Sequence, residues 1–350
     1  MTLSLRHELL RLPLRDPFRI ARSEHGSGHV ATTLIVELSD TRFPEIVAYG
    51  EGYPDKFYGE TAETMAAVFP LLLEALGEPD LSGPAPVAAA SARLQAAIRW
   101  NGAAKCALDS ALHDLAGKVL GRPVHALLGT STTIPPTDFT IGIDEPAIVA
   151  ERAARAGAFP ALKIKVGGPA DLATIRAVRE VYRDKPLRVD ANTGWTPDMA
   201  FGLVLELADL GVELIEQPFP ANRLDWLAEL QAVSPLPIVA DESCVIDEDL
   251  DRLVGVVAGV NVKLAKCGGP GPAALMLRRA RELGFLTFLG CMEETSVAIA
   301  ASAAVASLAD WVDLDGSLLL ATDPFEGLEL GEDHRWRLGE APGLGVHRRA

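Results

Sequence analysis

The segment ALKIKVGGPADLATIRAVREVYRDKPLRVDANTGW, residues 161–195, contains one strand, one helix and a second strand. Apolar runs at 161–166 and 187–191 predict the two strands, and the spacing of apolar residues over 171–182 predicts the helix between them. A unit of this kind indicates an α/β protein with a parallel sheet.

The same alternation of strand and helix continues along the chain from about residue 137. Gly157, Gly211 and Gly284 precede predicted strands, at positions where glycine commonly ends a helix. Eight such units over about 190 residues predict a closed parallel barrel, whose last helix is replaced or irregular. The eight strands are predicted at 139–143, 161–166, 187–191, 212–216, 237–241, 260–264, 285–289 and 311–315.

The N-terminal part of the chain has a different pattern, in which short strands are followed by long helices. This order predicts an α+β unit over residues 1–125, to which the C-terminal tail 324–350 returns. The barrel then occupies residues 126–323, and a polar, glycine-rich loop lies at 22–29. The strands and helices of the first unit are predicted at 34–38, 46–49, 61–76 and 87–120.

The composition of the chain limits its partners. Its 350 residues contain 32 Lys and Arg against 48 Asp and Glu, a formal net charge of −16, so nucleic acid and anionic membrane surfaces are unfavourable partners. The most apolar stretch, 297–309, is too short to cross a bilayer, and the N-terminus does not resemble a signal peptide. Four widely spaced cysteines without a C-x-x-C motif indicate a reduced, cytoplasmic protein. A symmetric homo-oligomer is also expected.

Three carboxylates stand at the ends of three successive predicted strands, namely Asp190, Glu216 and Asp241. The active site of a parallel barrel lies at the carboxyl ends of its strands, so these side chains are expected to share one rim. Without a cation they would repel one another, and oxygen ligands with open positions favour Mg²⁺ over zinc. The alternative is that each carboxylate caps a helix or pairs with an arginine.

Lysine is rare in this chain, with 8 lysines against 24 arginines, yet two lysines stand at strand ends near these carboxylates. Lys165 ends the second predicted strand and Lys263 lies on the sixth, so their amines are expected on opposite sides of the carboxylate row. Unlike arginine, lysine can lose its proton and act as a base. Lys163 points the same way as Lys165, and its positive charge favours the basic form of its neighbour. The alternative is ion pairing with the carboxylates alone.

Together, five motifs resemble the enolase superfamily in its muconate-lactonizing-enzyme subgroup. They are LKIKVG (162–167), RVDANTGW (188–195), IEQPF (215–219), ADES (240–243) and NVKLAKCGG (261–269). The resemblance covers nearly the whole chain and implies a modified TIM barrel of (β/α)7β type with an α+β capping domain. It also implies Mg²⁺ held by Asp190, Glu216 and Asp241, an acid–base pair of Lys165 and Lys263, and a supporting role for Lys163 at the substrate carboxylate. Asn192 and Glu242 would lie behind the metal ligands.

The eighth predicted strand carries Asp313 and Asp315, two carboxylates on one face that could hold an ammonium group. This D-x-D, after GCMEETS (290–296), resembles the dipeptide epimerases, where such a pair binds the α-ammonium of the dipeptide. The resemblance implies inversion of the α-carbon of the C-terminal residue by proton transfer through an enolate. N-acylamino acid racemases, o-succinylbenzoate synthases and cycloisomerases on the same fold remain alternatives. The substrates of the racemases and the o-succinylbenzoate synthases lack a free ammonium and do not need this pair.

Four residues are candidates for contact with the substrate side chains. In the loop around PFRIARS (17–23), Arg22 lies one position from the arginine of the L-Ala-L-Glu enzymes, and Ser23 occupies the matching place. Glu293 stands where an apolar residue is usual, which favours a cationic or polar side chain if it faces the pocket. Glu294 matches the family glutamate and is expected to hydrogen-bond an active-site lysine or the substrate.

Overall fold

The computed structural model describes residues 2–23 and 28–350, and its first element is a three-stranded antiparallel sheet. The strands pair in chain order, as β1 Leu3–Pro13, β2 Val30–Asp40 and β3 Val47–Gly52. The apolar pattern predicts parts of β2 and β3 but does not predict β1, because most side chains of β1 face solvent. The loop predicted at 22–29 is described only at its ends, since residues 24–27 lie outside the described ranges.

Four helices complete this unit. They are α1 Ala62–Leu76, α2 Pro84–Ala96, α3 Gly102–Leu120 and α4 Val124–Leu128. Helices α1 and α3 contact the sheet, and α2 and α4 pack on α3. Helix α3 is buried over most of its length and lies directly on β3. Gly50 permits this approach, because a Cβ atom at that position would lie 1.9 Å from the carbonyl oxygen of Ala107.

The second sheet has eight parallel strands whose spatial order follows the chain. The strands are β4 Phe139–Ile141, β5 Leu162–Lys165, β6 Leu187–Asp190, β7 Val212–Glu216, β8 Ile238–Ala240, β9 Gly259–Lys263, β10 Leu286–Gly290 and β11 Trp311–Asp313. The helices around them are α5 Pro146–Arg155, α6 Asp171–Val181, α7 Pro197–Asp209, α8 Leu224–Val233, α9 Asp249–Leu253, α10 Leu264–Cys267, α11 Pro270–Glu282, α12 Ser296–Ala303 and α13 Gly316–Leu319. This sheet and its helices confirm the predicted (β/α)7β barrel, including the irregular last helix of four residues.

The barrel closes between β4 and β11 by a seam of one isolated backbone bridge and side-chain hydrogen bonds, rather than by a regular ladder. One isolated bridge joins Thr137 to Val312, and the backbone N–H of Asp138 donates to the Val312 carbonyl at 2.9 Å. The Thr137 hydroxyl oxygen accepts from the backbone N–H of Leu314 at 2.8 Å. Side chains therefore supply hydrogen bonds that a strand ladder supplies elsewhere in the barrel.

The C-terminal tail forms two short antiparallel pairs and contacts the α+β unit. The pairs are β12 Phe325–Glu326 with β15 His347–Arg348, and β13 Glu329–Leu330 with β14 Trp336–Arg337. The backbone N–H of Leu344 donates to the buried carboxylate of Asp114 in α3 at 2.7 Å, and Arg348 pairs with Glu8 of β1 at 2.6 Å. Among the described residues, each helix is too short or too polar to cross a bilayer.

Glu51 of β3 joins the α+β unit to the barrel. Its buried carboxylate accepts from the backbone N–H and the hydroxyl of Thr295, at 3.0 and 2.6 Å, and from the backbone N–H of Ala298 at 3.1 Å. A fourth hydrogen bond comes from the hydroxyl of Thr33. These contacts place a carboxylate at the N-terminus of barrel helix α12, where helix N–H groups lack partners.

Candidate active site

The three predicted carboxylates converge at the carboxyl ends of the central barrel strands. Asp190 ends β6, Glu216 ends β7 and Asp241 follows β8, and one oxygen from each lies within 4.8 Å of the other two. All three side chains are buried. The register pairs Asp190 directly with Glu216, so the sheet itself sets this convergence.

The electrostatics of this cluster favour a bound cation. Burial and the negative charges of Asp190 and Asp241 raise the pKa of Glu216 to about 7. Burial opposes the charge of Asp190 as well, but Lys165 and Lys163 hold its pKa below the ordinary value. The donor set consists only of carboxylate oxygens, which suits a hard divalent cation such as Mg²⁺.

Two lysine amines flank the cluster from opposite ends of the carboxylate row. On β5, the Lys165 Nζ lies 2.6 Å from Asp190 Oδ2, and on β9 the Lys263 Nζ lies 2.9 Å from Asp241 Oδ2. Both side chains are buried, with about 7% of each exposed. Burial lowers the pKa of Lys263, but the charge of Asp241 outweighs it and raises that pKa above its usual range. The two amines therefore contact different carboxylates of one cluster.

Lys163 lies two residues deeper along β5 than Lys165 and is almost completely buried. Its Nζ lies 2.8 Å from Glu216 Oε2 and 3.1 Å from Asp313 Oδ2. These carboxylates outweigh burial and raise the pKa of Lys163. The predicted role at the substrate carboxylate stays a prediction, since protein carboxylates surround this amine.

The ring of Phe288 lies close to two cations inside the barrel. The Nζ of Lys163 lies 5.2 Å from the ring centroid, and the guanidinium carbon of Arg188 lies 5.5 Å from it. Arg188 also pairs with Asp138 at 2.5 Å. Burial, opposed by Arg188, raises the pKa of Asp138 to about 7. Charged groups thus continue below the candidate site into the barrel interior.

Asp313 and Asp315 lie beside Lys163, but they do not share a strand as predicted. Strand β11 ends at Asp313, and Asp315 stands at the start of the four-residue helix α13, where the chain turns. Both carboxylates nevertheless contact one residue, Thr140 of β4. Burial and the charge of Asp313 raise the pKa of Asp315, whereas Lys163 overcomes burial and lowers that of Asp313.

Two further residues hold the carboxylate cluster and were not predicted as site residues. The Lys266 amine donates to Asp241 Oδ1 at 2.5 Å and to the carbonyl oxygens of Asp241, Cys244 and Asn261. The Asn261 amide donates to Glu216 Oε1 at 2.7 Å. Lysine is scarce in this chain, so the position of Lys266 three residues after Lys263 is a signal in the sequence, and alternation along β9 places Asn261 on the same face as Lys263.

Asn192 and Glu242 lie behind the carboxylate cluster, as the resemblance implies. The backbone N–H of Asn192 donates to Asp190 Oδ1 at 2.9 Å, and its side-chain amide donates to Glu242 Oε1 at 3.2 Å. The same Glu242 oxygen accepts from Arg22, whose guanidinium also lies 4.5 Å from the ring centroid of Phe57. The Arg22 charge is therefore already paired within the protein.

The other three candidate residues differ in their surroundings. The hydroxyl of Ser23 accepts from the backbone N–H of Ile20, which stabilises a turn rather than a ligand site. Glu293 is half-buried beside Tyr53, and with burial it raises the pKa of that hydroxyl. Glu294 is buried and accepts from the backbone N–H of Met292 at 3.2 Å. Burial and the nearby charge of Glu51 raise the pKa of Glu294 to about 8.

Comparison with known families agrees with this arrangement over almost the whole chain. Residues 12–129 match the mandelate racemase / muconate lactonizing enzyme N-terminal domain, and residues 147–349 match the enolase C-terminal domain-like family. The chain belongs to the enolase superfamily. The N-terminal match is to a family that includes both mandelate racemase and muconate lactonizing enzyme, in agreement with the resemblance of the five motifs.

Several members of this superfamily are similar to the chain over nearly their full length. An L-Ala-D/L-Glu epimerase of Bacteroides thetaiotaomicron is 36% identical over 96% of this chain and 85% of its own. An L-Lys-D/L-Arg epimerase of Methylococcus capsulatus is 36% identical over 95% of each chain. The structure of a dipeptide epimerase from Enterococcus faecalis, complexed with Mg and L-Leu-L-Tyr, superposes with a TM-score of 0.89 at 33% identity over 99% of both chains.

Proposed function

We propose that this protein is a magnesium-dependent dipeptide epimerase, an isomerase that inverts the α-carbon of the C-terminal residue of an L,L- or L,D-dipeptide. One observation carries the proposal. Lys165 and Lys263 reach the same carboxylate cluster from β5 and β9, so a substrate carbon held at the cluster would have an amine on each face. The relatives with epimerase names support the same reaction class.

Asp190, Glu216 and Asp241 would hold the Mg²⁺ ion, since they supply three buried carboxylate oxygens within 4.8 Å. When bound, the ion would supply Lewis-acid stabilisation for the negative charge that develops on the substrate carboxylate. Lys266 and Asn261 fix two of the ligands by hydrogen bonds, so the ligands need little reorganisation during the reaction. Asn192 and Glu242 support the third ligand from behind.

Lys165 and Lys263 would exchange roles according to the configuration of the substrate. The neutral amine removes the α-proton, and the protonated amine on the other face returns a proton to the same carbon. The bond to hydrogen is thus broken on one face and formed on the other, and no oxidant or reductant is needed. Lys163 keeps its positive charge and stabilises the surrounding carboxylates.

Asp313 and Asp315 distinguish a dipeptide from an N-acylated amino acid. Two buried carboxylates next to the site suit a free α-ammonium group, which forms charge-assisted hydrogen bonds with them. An N-acyl substituent has no such charge and could not form these charge-assisted hydrogen bonds. This pair favours a dipeptide over the substrates of N-acylamino acid racemases, o-succinylbenzoate synthases and cycloisomerases.

The charges of the residues near the site indicate which substrate side chains it prefers. Glu242 pairs with Arg22, so this arginine is not free to bind an acidic side chain. Glu293 is acidic and half-buried, which favours a cationic or polar substrate side chain over an acidic one. We expect Lys- or Arg-containing dipeptides to exceed Glu-containing dipeptides in kcat/KM.

The proposal also includes a cellular location and an oligomeric state. All four cysteines are free thiols, which supports a cytoplasmic location, where thiols stay reduced. A homo-oligomer is expected because closed symmetric assemblies are common among soluble enzymes. Size-exclusion chromatography with light scattering measures this state directly, and a monomer at micromolar concentration would contradict it.

Proton exchange tests the proposed reaction. Metal-loaded protein is incubated with a library of L-Ala-L-Xaa dipeptides in ²H₂O, and the loss of the α-proton signal is followed by ¹H NMR. Deuterium should enter only the C-terminal α-carbon, with formation of the diastereomer. Absence of exchange across the library, with folded and Mg²⁺-bound protein, would reject the function. Exchange of N-succinyl amino acids but not of dipeptides would favour the racemase alternative.

A further inference from the structure

Thr140 of β4 contacts both carboxylates that the proposed function assigns to the substrate ammonium. Its hydroxyl lies 2.9 Å from Asp313 Oδ1, and its backbone N–H donates to Asp315 Oδ2 at 2.6 Å. Asp313 and Asp315 are separated from Thr140 by more than 170 residues along the chain. All three side chains are buried, so water does not compete for these hydrogen bonds.

These contacts lie on the seam of the barrel. Strands β4 and β11 stand at the two ends of the strand order, and the isolated bridge at Thr137 joins them near their amino ends. Farther along β4, the N–H of Thr140 donates to the Asp315 carboxylate instead of to a strand carbonyl. The seam thus gives the carboxylate a backbone donor that a continuous ladder would have used.

We propose that Thr140 is a positioning residue that sets the spacing and orientation of Asp313 and Asp315 for a substrate ammonium. This inference rests on the proposed function, because it concerns the same ammonium site. Thr140 does not itself supply the negative charge that binds the ligand. Its hydroxyl proton is directed to Asp313 and its N–H to Asp315.

The remaining acceptor positions agree with this role. The Thr140 hydroxyl lies 2.9 Å from Asp313 Oδ1 and 3.1 Å from Oδ2, and the Lys163 amine donates to Oδ2 at 3.1 Å, so two residues fix this carboxylate. For Asp315, Oδ2 accepts from Thr140, and no donor among residues 2–23 and 28–350 contacts Oδ1. An ammonium group with three N–H donors can use such an open oxygen.

The chain offers a matched control for this test. Thr137 also lies on the seam, but its hydroxyl oxygen accepts across it from the backbone N–H of Leu314 and does not contact the carboxylates. Both Thr140→Val and Thr137→Val replace a buried hydroxyl with a methyl group at nearly constant volume. Thr140→Ser retains the hydroxyl and should restore the function that Thr140→Val loses.

Calorimetric titration of the metal-loaded protein compares L-Ala-L-Ala with N-acetyl-L-Ala-L-Ala, which lacks the ammonium. Wild type, Thr140→Ser and Thr137→Val should all prefer the free dipeptide. Thr140→Val should bind the free dipeptide about tenfold more weakly and the acetylated one unchanged, because one charged hydrogen bond no longer orients Asp313. In kinetics, its KM for the free dipeptide should rise more than its kcat falls. Thermal unfolding of each variant checks that it is folded.

Two results would overturn the inference. An equal loss of affinity for the free and the acetylated dipeptide in Thr140→Val would mean that Thr140 has a purely structural role. Equal affinity of the wild type for the two ligands would mean that no ammonium site exists, even where proton exchange proceeds. The wild type could show no proton exchange and still prefer the free dipeptide, with that preference lost in Thr140→Val. This result would reject the epimerase but not the positioning role.

Discussion

Magnesium should stabilise this protein more strongly as the pH rises from 5 to 7, and Glu216 is the reason. Burial, Asp190 and Asp241 raise its pKa from the ordinary 4.5 to about 7. Between these values the metal-free folded protein keeps a proton that the unfolded chain has released. The stability of the metal-free protein therefore falls over this window as the pH rises.

The interval from 4.5 to about 7 corresponds to roughly 3 kcal/mol, at about 1.4 kcal/mol per pH unit. A bound divalent cation would take the place of the proton on Glu216. Near pH 7, Mg²⁺ would therefore restore the stability that the metal-free protein has lost, whereas below pH 7 it would compete with the proton. Asp190 and Asp241 have lowered pKa values, so they ionise below this window. For 350 residues, roughly 3 kcal/mol corresponds to about 4 °C in melting temperature.

Calorimetric unfolding at pH 5, 6, 7 and 8, with chelator or with saturating Mg²⁺, measures this increment. The gain in melting temperature from Mg²⁺ should grow by about 4 °C between pH 5 and 7 and then level off. Glu216→Gln has no proton to exchange, so its smaller Mg²⁺ increment should depend less on pH. A wild-type increment that is constant with pH, or an equal slope in Glu216→Gln, would refute the reasoning.

Three further outcomes follow from contacts in the structure. Lys165→Ala and Lys263→Ala should each slow epimerisation by about 10²–10⁴-fold while Mg²⁺ still raises the melting temperature; diastereomer formation by NMR at the wild-type rate in either variant would contradict the paired-amine mechanism. Glu51→Ala should lower the free energy of unfolding by about 2–4 kcal/mol, because the N-terminus of α12 loses its carboxylate; an unchanged midpoint in chemical denaturation would contradict this. Asp315→Asn should raise KM for a dipeptide more than it lowers kcat; steady-state kinetics that show the reverse would argue against an ammonium contact.

The regular length of the β/α unit explains why much of the site could be predicted. Asp190, Glu216 and Asp241 are 26 and 25 residues apart in sequence, about one unit each, so one strand end predicts the next. Lys165 and Lys263 follow from the same rule. The barrel, its eight strands and the irregular last helix are confirmed because apolar strands and glycine-terminated helices have strong local signals.

The residues that were not predicted depend on contacts across the barrel. Asn261 and Arg188 each precede a site residue by two positions on a strand, and alternation could have placed them in the interior. Thr140 gave no such signal, because its importance comes from the seam with β11. Asp315 was assigned to a strand that ends two residues earlier, since the turn into α13 depends on the packing of the chain there.

The carboxylate of Glu51 has a consequence for exchanging parts between related enzymes. It belongs to the first half of the chain, yet it completes hydrogen bonding at the start of a helix in the second half. A chimera that takes its α+β unit from one relative and its barrel from another must therefore preserve this pairing, or leave unsatisfied amides at the junction. Directed evolution of new substrate selectivity should vary the loops around the candidate active site and keep the contacts of Glu51 with Thr295 and Ala298 unchanged.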